Sequence, residues 1–343
     1  MSVATIESLP LADISAGPVR VHDYGVYGVH VRSEIPLPLL EHTGRALCSI
    51  NLRSESEGFF ANAVRGHVLR DRTEWHRAAS LADGSNYVQW RDLGEFLISA
   101  DGRCIACRKF PEAAAESFHV YLLCQALGYA LIRQGIEPLH ATALMVEGKM
   151  IALLGYCGFG KSTLAAYLLH TGATLVTDDM LILEPRQGGY VGYPGPARIK
   201  LLPAVARRFL GKGISGVPMN SDTHKLVIPA DAPAGGALPA PLARLYALCA
   251  PSEVRSDNRI RFEYLSSREA CISVVGNTFS AAIASPERLQ RQADAAIRLV
   301  RSVPVKKLFY PRVLGRLPAV REAIVQDLAS PSAPNPARAG RPA

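Results

Sequence analysis

Residues 155–162, GYCGFGKS, fit the pattern G-x-x-x-x-G-K-[ST]. These residue types at this spacing bind phosphate, because glycines let backbone N–H groups approach an anion and the helix that follows presents its positive end to it. Lys161 adds a mobile cation for the terminal phosphates, and Ser162 adds a hydroxyl for Mg²⁺. The segment therefore predicts a nucleotide site at the start of a helix.

Two adjacent carboxylates, Asp178 and Asp179, begin sixteen residues after Ser162. They end the next apolar strand, and open α/β sheets bind ligands at the carboxyl ends of their strands. Neighbouring side chains at a strand end point in different directions, so one can serve a metal while the other accepts a proton from a substrate hydroxyl. We assign Asp178 as general base and Asp179 to the metal.

Phosphoryl transfer also needs positive charge near the moving group, since negative charge spreads over its oxygens in the transition state. Three basic residues downstream are candidates. Arg198 and Lys200 alternate at the start of an apolar segment, and Lys225 lies in a loop ahead of the apolar run 226–229.

The elements around the loop must position these groups. Residues 141–146 and 150–154 are apolar runs joined by Glu-Gly-Lys, which predicts a β-hairpin whose second strand enters the loop. Residues 162–170 have helical composition, and residues 173–177 form an apolar, β-branched strand. The order is thus strand, loop, helix, strand.

The flanking sequence divides the chain. Residues 20–110 carry short apolar segments separated by turn residues and predict a β-rich domain, whereas helical spacing begins at 111–134. We therefore predict a β-rich N-terminal domain over 1–110, a catalytic domain over 111–328 and a disordered tail over 329–343.

Within the catalytic domain, residues 185–200 and 211–241 are rich in Gly and Pro and predict long surface loops. Two helices, 286–303 and 318–328, are predicted to close it.

The stretch 140–183, HATALMVEGKMIALLGYCGFGKSTLAAYLLHTGATLVTDDMLIL, resembles the catalytic domain of the HPr kinase/phosphorylase family and its stand-alone relatives. The resemblance implies an α/β fold: a P-loop kinase domain of the HPr kinase / phosphoenolpyruvate carboxykinase type, with a smaller β-rich N-terminal domain. It also implies Mg²⁺- and ATP-dependent phosphorylation of a serine on a protein.

The same resemblance implies roles for particular residues. Asp178 would activate the serine hydroxyl, Asp179 would serve the metal, and His140 would lie near the site. Residue chemistry, as argued above, adds Ser162 as a metal ligand and Lys161, Arg198 and Lys225 to the catalytic set. The residues expected to bind ATP are Gly155, Gly158, Phe159, Gly160, Lys161, Ser162 and Thr163.

The acceptor is less defined. Residues 33–38, SEIPLP, resemble the opening of the stand-alone relatives, and residues 197–200, ARIK, stand where the bifunctional enzyme carries Glu-Ile-Arg-Gly. Some stand-alone relatives phosphorylate peptides, including lasso-peptide precursors. The expected partner is therefore an HPr-like protein or a ribosomal peptide precursor. A small-metabolite kinase and a nucleotide-dependent regulatory module remain alternatives.

Composition narrows the class of protein. The 343 residues are 48% hydrophobic, which excludes wholesale disorder, and no uncharged apolar run reaches the length of a membrane span. Seven scattered cysteines favour reduced thiols and the cytoplasm. Residues 288–343 hold the whole net charge of +8, which favours a solvated face over nucleic-acid binding. The N-terminal domain is expected to recognise the acceptor or to organise a homo-oligomer.

Overall fold

The computed structural model describes residues 20–73, 75–231, 238–254, 259–279 and 285–330. The chain forms two compact units. Unit 1 comprises residues up to Ile136 together with 217–224, and unit 2 comprises 137–216 and the chain from Lys225 onward. The chain is mixed α/β, and no helix in its described part is long and apolar enough to cross a membrane.

Unit 1 is built on one nine-stranded sheet with the order β3-β1-β2-β4-β9-β8-β7-β6-β5. This agrees with the β-rich pattern of residues 20–110. The strands are β1 (His22–Val26), β2 (Val29–Ser33), β3 (Leu40–Glu41), β4 (Cys48–Ser54), β5 (Arg70–Thr73), β6 (His76–Ser80), β7 (Asn86–Trp90), β8 (Gly94–Ile98) and β9 (Cys104–Lys109).

A helical segment packs on this sheet through aromatic side chains. It runs from α2 (Ala115–Val120) through a π-helical turn (Tyr121–Ala126) into α3 (Leu127–Arg133), and a shorter helix, α1 (Glu57–Ala63), precedes it in the chain. The ring centroids of Phe118 and Phe96 lie 5.3 Å apart, and those of Tyr121 and Trp90 lie 5.0 Å apart.

This packing moves the boundary between the units. The predicted helix over 111–134 is present, but its aromatic contacts place it in unit 1, so the division falls after Ile136 rather than after residue 110. Residues 217–224 also belong to unit 1, where Asn220 donates a hydrogen bond to the Tyr121 hydroxyl at 2.5 Å.

Unit 2 centres on a second sheet with the path β12-β10-β11-β19-β15-β14. Strand β21 lies off this path and also pairs with β19. The strands of unit 2 are β10 (Leu139–Val146), β11 (Lys149–Leu154), β12 (Thr174–Thr177), β13 (Met180–Leu181), β14 (Leu183–Arg186), β15 (Gly189–Gly192), β16 (Arg198–Leu201), β18 (Leu226–Pro229), β19 (Ala240–Leu248), β20 (Arg261–Tyr264) and β21 (Val305–Phe309). Strands β16 and β18 pair with each other outside the large sheet. The short strand β17 (Val217–Pro218) lies in the segment that belongs to unit 1.

Helices cover both faces of this sheet. They are α4 (Lys161–His170), α5 (Pro203–Phe209), α6 (Ser267–Gly276), α7 (Pro286–Ser302) and α8 (Leu317–Ala329). Alternate residues of β11 point to opposite faces. Ile151 and Leu153 join a core with α4 and α8, whereas Ala152 and Leu154 join a core with α6 and α7.

The direction of the strands decides where the site lies. Strands β11, β19 and β21 are parallel, and β12 runs the same way because both it and β11 are antiparallel to β10. Their carboxyl ends therefore meet at one edge of the sheet, which we call the carboxyl edge. The residues that follow Leu154, Thr177, Leu248 and Phe309 all emerge there.

The predicted hairpin, the helix after the loop and the two closing helices are present. The expectation of long loops over 185–200 and 211–241 was wrong in part, because β14 and β15 form a hairpin and β16 pairs with β18 within those stretches. Gly and Pro mark the turns between these short strands rather than one continuous loop. The predicted tail over 329–343 begins two residues too early, because Ala329 ends α8 and Ser330 caps it; its remainder, from residue 331, lies outside the described residues.

Candidate functional site

The segment 155–162, which the sequence predicts to bind phosphate and which we call the phosphate loop, connects β11 to α4 at the carboxyl edge. Gly158 and Gly160 have φ of +83° and +90°, in the left-handed region that favours glycine. Of the described residues, none places an atom within 4 Å of where a Cβ of Gly158 would lie. The space beside Gly158 is therefore open on the side where a side chain would lie.

Lys161 begins α4 and is nearly buried, with 8% of its surface exposed. Its Nζ donates hydrogen bonds to the carbonyl oxygens of Gly155 and Tyr156. Burial lowers the pKa of Lys161, although the charges of Asp179 and Asp178 oppose this shift. The lysine is therefore held against the loop, within electrostatic reach of both carboxylates.

The neighbouring predicted contacts lie on the same turn. Ser162 and Thr163 are half-buried in the first turn of α4. Phe159 packs against the core beneath α4, and its ring centroid lies 5.5 Å from that of Tyr156. The Phe159 side chain therefore anchors the segment to the core of unit 2.

The two aspartates follow β12 at the same edge. Asp178 is 5% exposed and accepts a hydrogen bond from Thr142 Oγ1 at 2.9 Å on one oxygen. Its other oxygen accepts from the backbone N–H of Lys200 at 3.0 Å. These contacts fix the orientation of the Asp178 carboxylate.

Lys200 links the two carboxylates. Its Nζ lies 2.7 Å from Asp179 Oδ2 and 3.4 Å from Asp178 Oδ2, with only 4% of its side chain exposed. Burial alone would raise the pKa of Asp179, but the Lys200 and His140 charges together lower it to about 2. Asp179 also has φ of +71°, a strained backbone conformation for a residue with a side chain.

The remaining predicted residues take different positions. Lys225 lies just before β18, and its charge acts on both Lys161 and Asp179. Arg198 begins β16 two residues before Lys200, so both project from the same face of that strand. Lys200, also a candidate cation, forms ion pairs with both aspartates.

His140 lies at the start of β10, and its backbone N–H donates to the Asn277 carbonyl at 2.6 Å. Burial lowers the pKa of His140 despite the nearby charge of Asp179. The imidazole lies close enough to Asp179 and Asp178 for their charges to oppose the effect of burial.

Asn277, which follows α6, is a site residue that sequence reasoning missed. Its Oδ1 accepts the Gly155 N–H at 2.8 Å, and its Nδ2 donates to the Ser273 carbonyl at 2.8 Å. With only 7% of its surface exposed, it ties the start of the phosphate loop to α6 and to His140. Nothing in the local sequence marked this role. Thr142, a hydroxyl within an apolar strand, did offer such a signal.

We expect Asn277→Ala to weaken nucleotide binding by about tenfold, because it frees the first N–H of the loop and leaves a buried donor without its acceptor. Calorimetric titration with ADP measures the effect. The matched control is Asn62→Ala, which removes an exposed asparagine of α1. Unchanged ADP affinity in Asn277→Ala would refute the positioning role.

Comparisons with known proteins add little to this geometry. No protein-family model matches the chain, and no curated protein does. Among solved structures, the chain is similar to the Hpr(Ser) kinase/phosphatase from Coxiella burnetii, with 16% identity and a TM-score of 0.30. That similarity covers 55% of this chain and 94% of the other. A similarity with so low a TM-score does not support an assignment of fold family or function, so the function is inferred from the residues of the site.

Proposed function

We propose that the protein is an ATP-dependent phosphotransferase that transfers the γ-phosphoryl group to a serine hydroxyl of a protein or peptide. One observation carries the proposal: the phosphate loop with its buried Lys161 lies at the same sheet edge as the Asp178 and Asp179 pair, which Lys200 bridges. A cradle for phosphates and a carboxylate held in a fixed orientation are the two parts that transfer to a hydroxyl requires.

The loop supports the binding of a nucleoside triphosphate. Its open backbone at Gly158 and the first turn of α4 favour an anion, and Lys161 supplies a cation. Lys161 must leave the loop carbonyls of Gly155 and Tyr156 to reach a terminal phosphate. Its long flexible side chain permits that movement.

The residues present also fit Mg²⁺. This ion keeps several waters and takes one or two protein oxygens beside those of the phosphates. Ser162 and Asp179 would supply such oxygens at the carboxyl edge. When bound, Mg²⁺ offsets charge on the phosphates. Asp179, with its pKa near 2, is ionised and ready to accept it.

Asp178 is the proposed general base. Thr142 and the Lys200 N–H hold the two carboxylate oxygens in place, so the orientation of the base is set before the acceptor arrives. Asp178 takes the proton as the serine oxygen attacks the γ-phosphorus and the bond to the β-phosphate oxygen breaks. Lys200 and Lys225 supply positive charge close to this step.

The test is incubation of the purified protein with Mg²⁺ and γ-labelled ATP, with HPr and a panel of serine-ended peptides as acceptors. Label on serine, lost in Asp178→Asn, is the expected result. Label on a free hydroxylated metabolite would instead favour a metabolite kinase. Bound ATP with no labelled product from any acceptor would point to a nucleotide-gated module and overturn the proposal.

A further inference from the structure

A cation that sequence reasoning did not single out lies against the phosphate loop. Arg312 follows β21 at the carboxyl edge, and its Nε lies 3.3 Å from where a Cβ of Gly160 would be. In the sequence, Arg312 is one of the basic residues of 288–343, and the excess charge of that segment favoured a solvated face. Its place beside the loop contradicts that interpretation for this residue.

The guanidinium of Arg312 is held in a defined position. Nη1 donates to the Tyr310 carbonyl at 2.8 Å and Nη2 donates to the Cys249 carbonyl at 2.6 Å, while the group lies 3.7 Å above the Tyr310 ring. The remaining donor of Arg312, the Nε–H group, is buried and has no hydrogen-bond acceptor among the described residues. A buried charged donor without an acceptor is costly, so its retention beside Gly160 calls for a partner.

Tyr310 adds a neutral donor at the same place. The residue is 1% exposed, and its hydroxyl lies 2.9 Å from where a Cβ of Gly160 would be. Burial raises the pKa of Tyr310 to about 12, so the hydroxyl keeps its proton at neutral pH. In the described part of the chain, no hydrogen bond engages this hydroxyl.

We propose that Arg312 and Tyr310 form a second phosphate-binding element, which binds a nucleoside diphosphate or triphosphate from the Gly160 side of the loop. This inference rests on the proposed nucleotide site and extends it. A phosphate oxygen bound beside Gly160 supplies the acceptor that Arg312 Nε lacks, and the Tyr310 hydroxyl donates beside it. The contribution of Arg312 and Tyr310 to binding affinity therefore depends on the phosphates and not on the nucleoside.

The test compares Arg312→Gln and Tyr310→Phe with the wild type by calorimetric titration with ADP, ATP and adenosine. Arg316→Gln, an exposed arginine four residues downstream, is the control for loss of one positive charge. Tyr310→Phe removes a single oxygen and leaves the backbone contacts of Arg312 in place. Thermal unfolding without nucleotide shows that each variant is folded.

We expect Arg312→Gln to weaken ADP and ATP binding on the order of tenfold and Tyr310→Phe by about threefold, with adenosine affinity unchanged. Wild-type ADP affinity in both variants, or an equal loss for adenosine, would overturn the inference while the nucleotide site stood. A wild-type protein that binds neither ADP nor ATP would instead remove the proposed function, and this inference with it. No acceptor is needed, so the outcome is independent of the kinase assay.

Discussion

Asp178→Asn is expected to lower phosphoryl transfer by about a thousandfold while leaving ATP affinity nearly unchanged, because the amide cannot accept the serine proton. The substitution suits the site. An asparagine can keep its oxygen toward the Lys200 N–H and donate its amide to Thr142 Oγ1, so both existing contacts have a replacement. The fold is therefore expected to tolerate the change.

Initial rates of labelled-phosphate transfer and ATP titration, on the same preparation, measure the two effects separately. The control is Asp231→Asn, which neutralises an exposed aspartate after β18 and should alter neither. Lys161→Ala, in contrast, should weaken both binding and transfer. Equal and modest losses of transfer in Asp178→Asn and Lys161→Ala would refute the roles given to them.

Lys200→Met is expected to lower the free energy of unfolding of unit 2 by about 3–5 kcal/mol at pH 7, because it leaves the buried Asp178 and the partly exposed Asp179 without their shared cation. The methionine fills a similar volume, so the effect reports charge rather than a cavity. Urea unfolding measures it. Lys212→Met, at an exposed position, is the matched control and should change stability little.

The pH dependence of that loss tests its cause. In the wild type, the pKa of Asp179 is depressed to about 2, so the stability it contributes is present above its usual value of 3.8 and is lost as pH falls toward 2. Without Lys200, the largest charge that opposes the effect of burial is gone and only the charges of His140 and Lys225 still lower that pKa, so the pKa of Asp179 rises and its ionised form contributes less stability as pH increases. The deficit of Lys200→Met should therefore be larger at pH 7 than at pH 4.

Adding Asp179→Asn to Lys200→Met removes one of the two unpaired carboxylates. The double variant should recover part of the lost stability at pH 7 and should lose most of the difference between pH 4 and pH 7. A deficit in Lys200→Met that is the same at both pH values would mean that packing, and not charge, accounts for the loss.

Much of the site could be read from the sequence because its parts are local. The phosphate loop, the hairpin before it, helix α4 and the two aspartates lie within residues 139–179, where spacing and periodicity predict each element in turn. The chemistry assigned to Lys161, Ser162 and the aspartates likewise follows from residue type.

The boundary between the two units could not be predicted from local sequence patterns. Helical spacing from residue 111 predicted the helix, but not the sheet that it covers, because periodicity shows that a face is apolar without showing what buries it. Contacts of Phe118 and Tyr121 with the sheet of unit 1 decided that.

By itself, the sequence determined the order of strand, glycine-rich loop, helix and strand, with two carboxylates at the end of the second strand. Only the tertiary structure decided which distant groups surround them: Lys200 as the bridge between the aspartates, Asn277 on the loop from 122 residues away, and Arg312 with Tyr310 against Gly160. The physical reason is that parallel strands bring their carboxyl ends to one edge regardless of chain separation. Residue spacing along the chain therefore does not predict these long-range contacts.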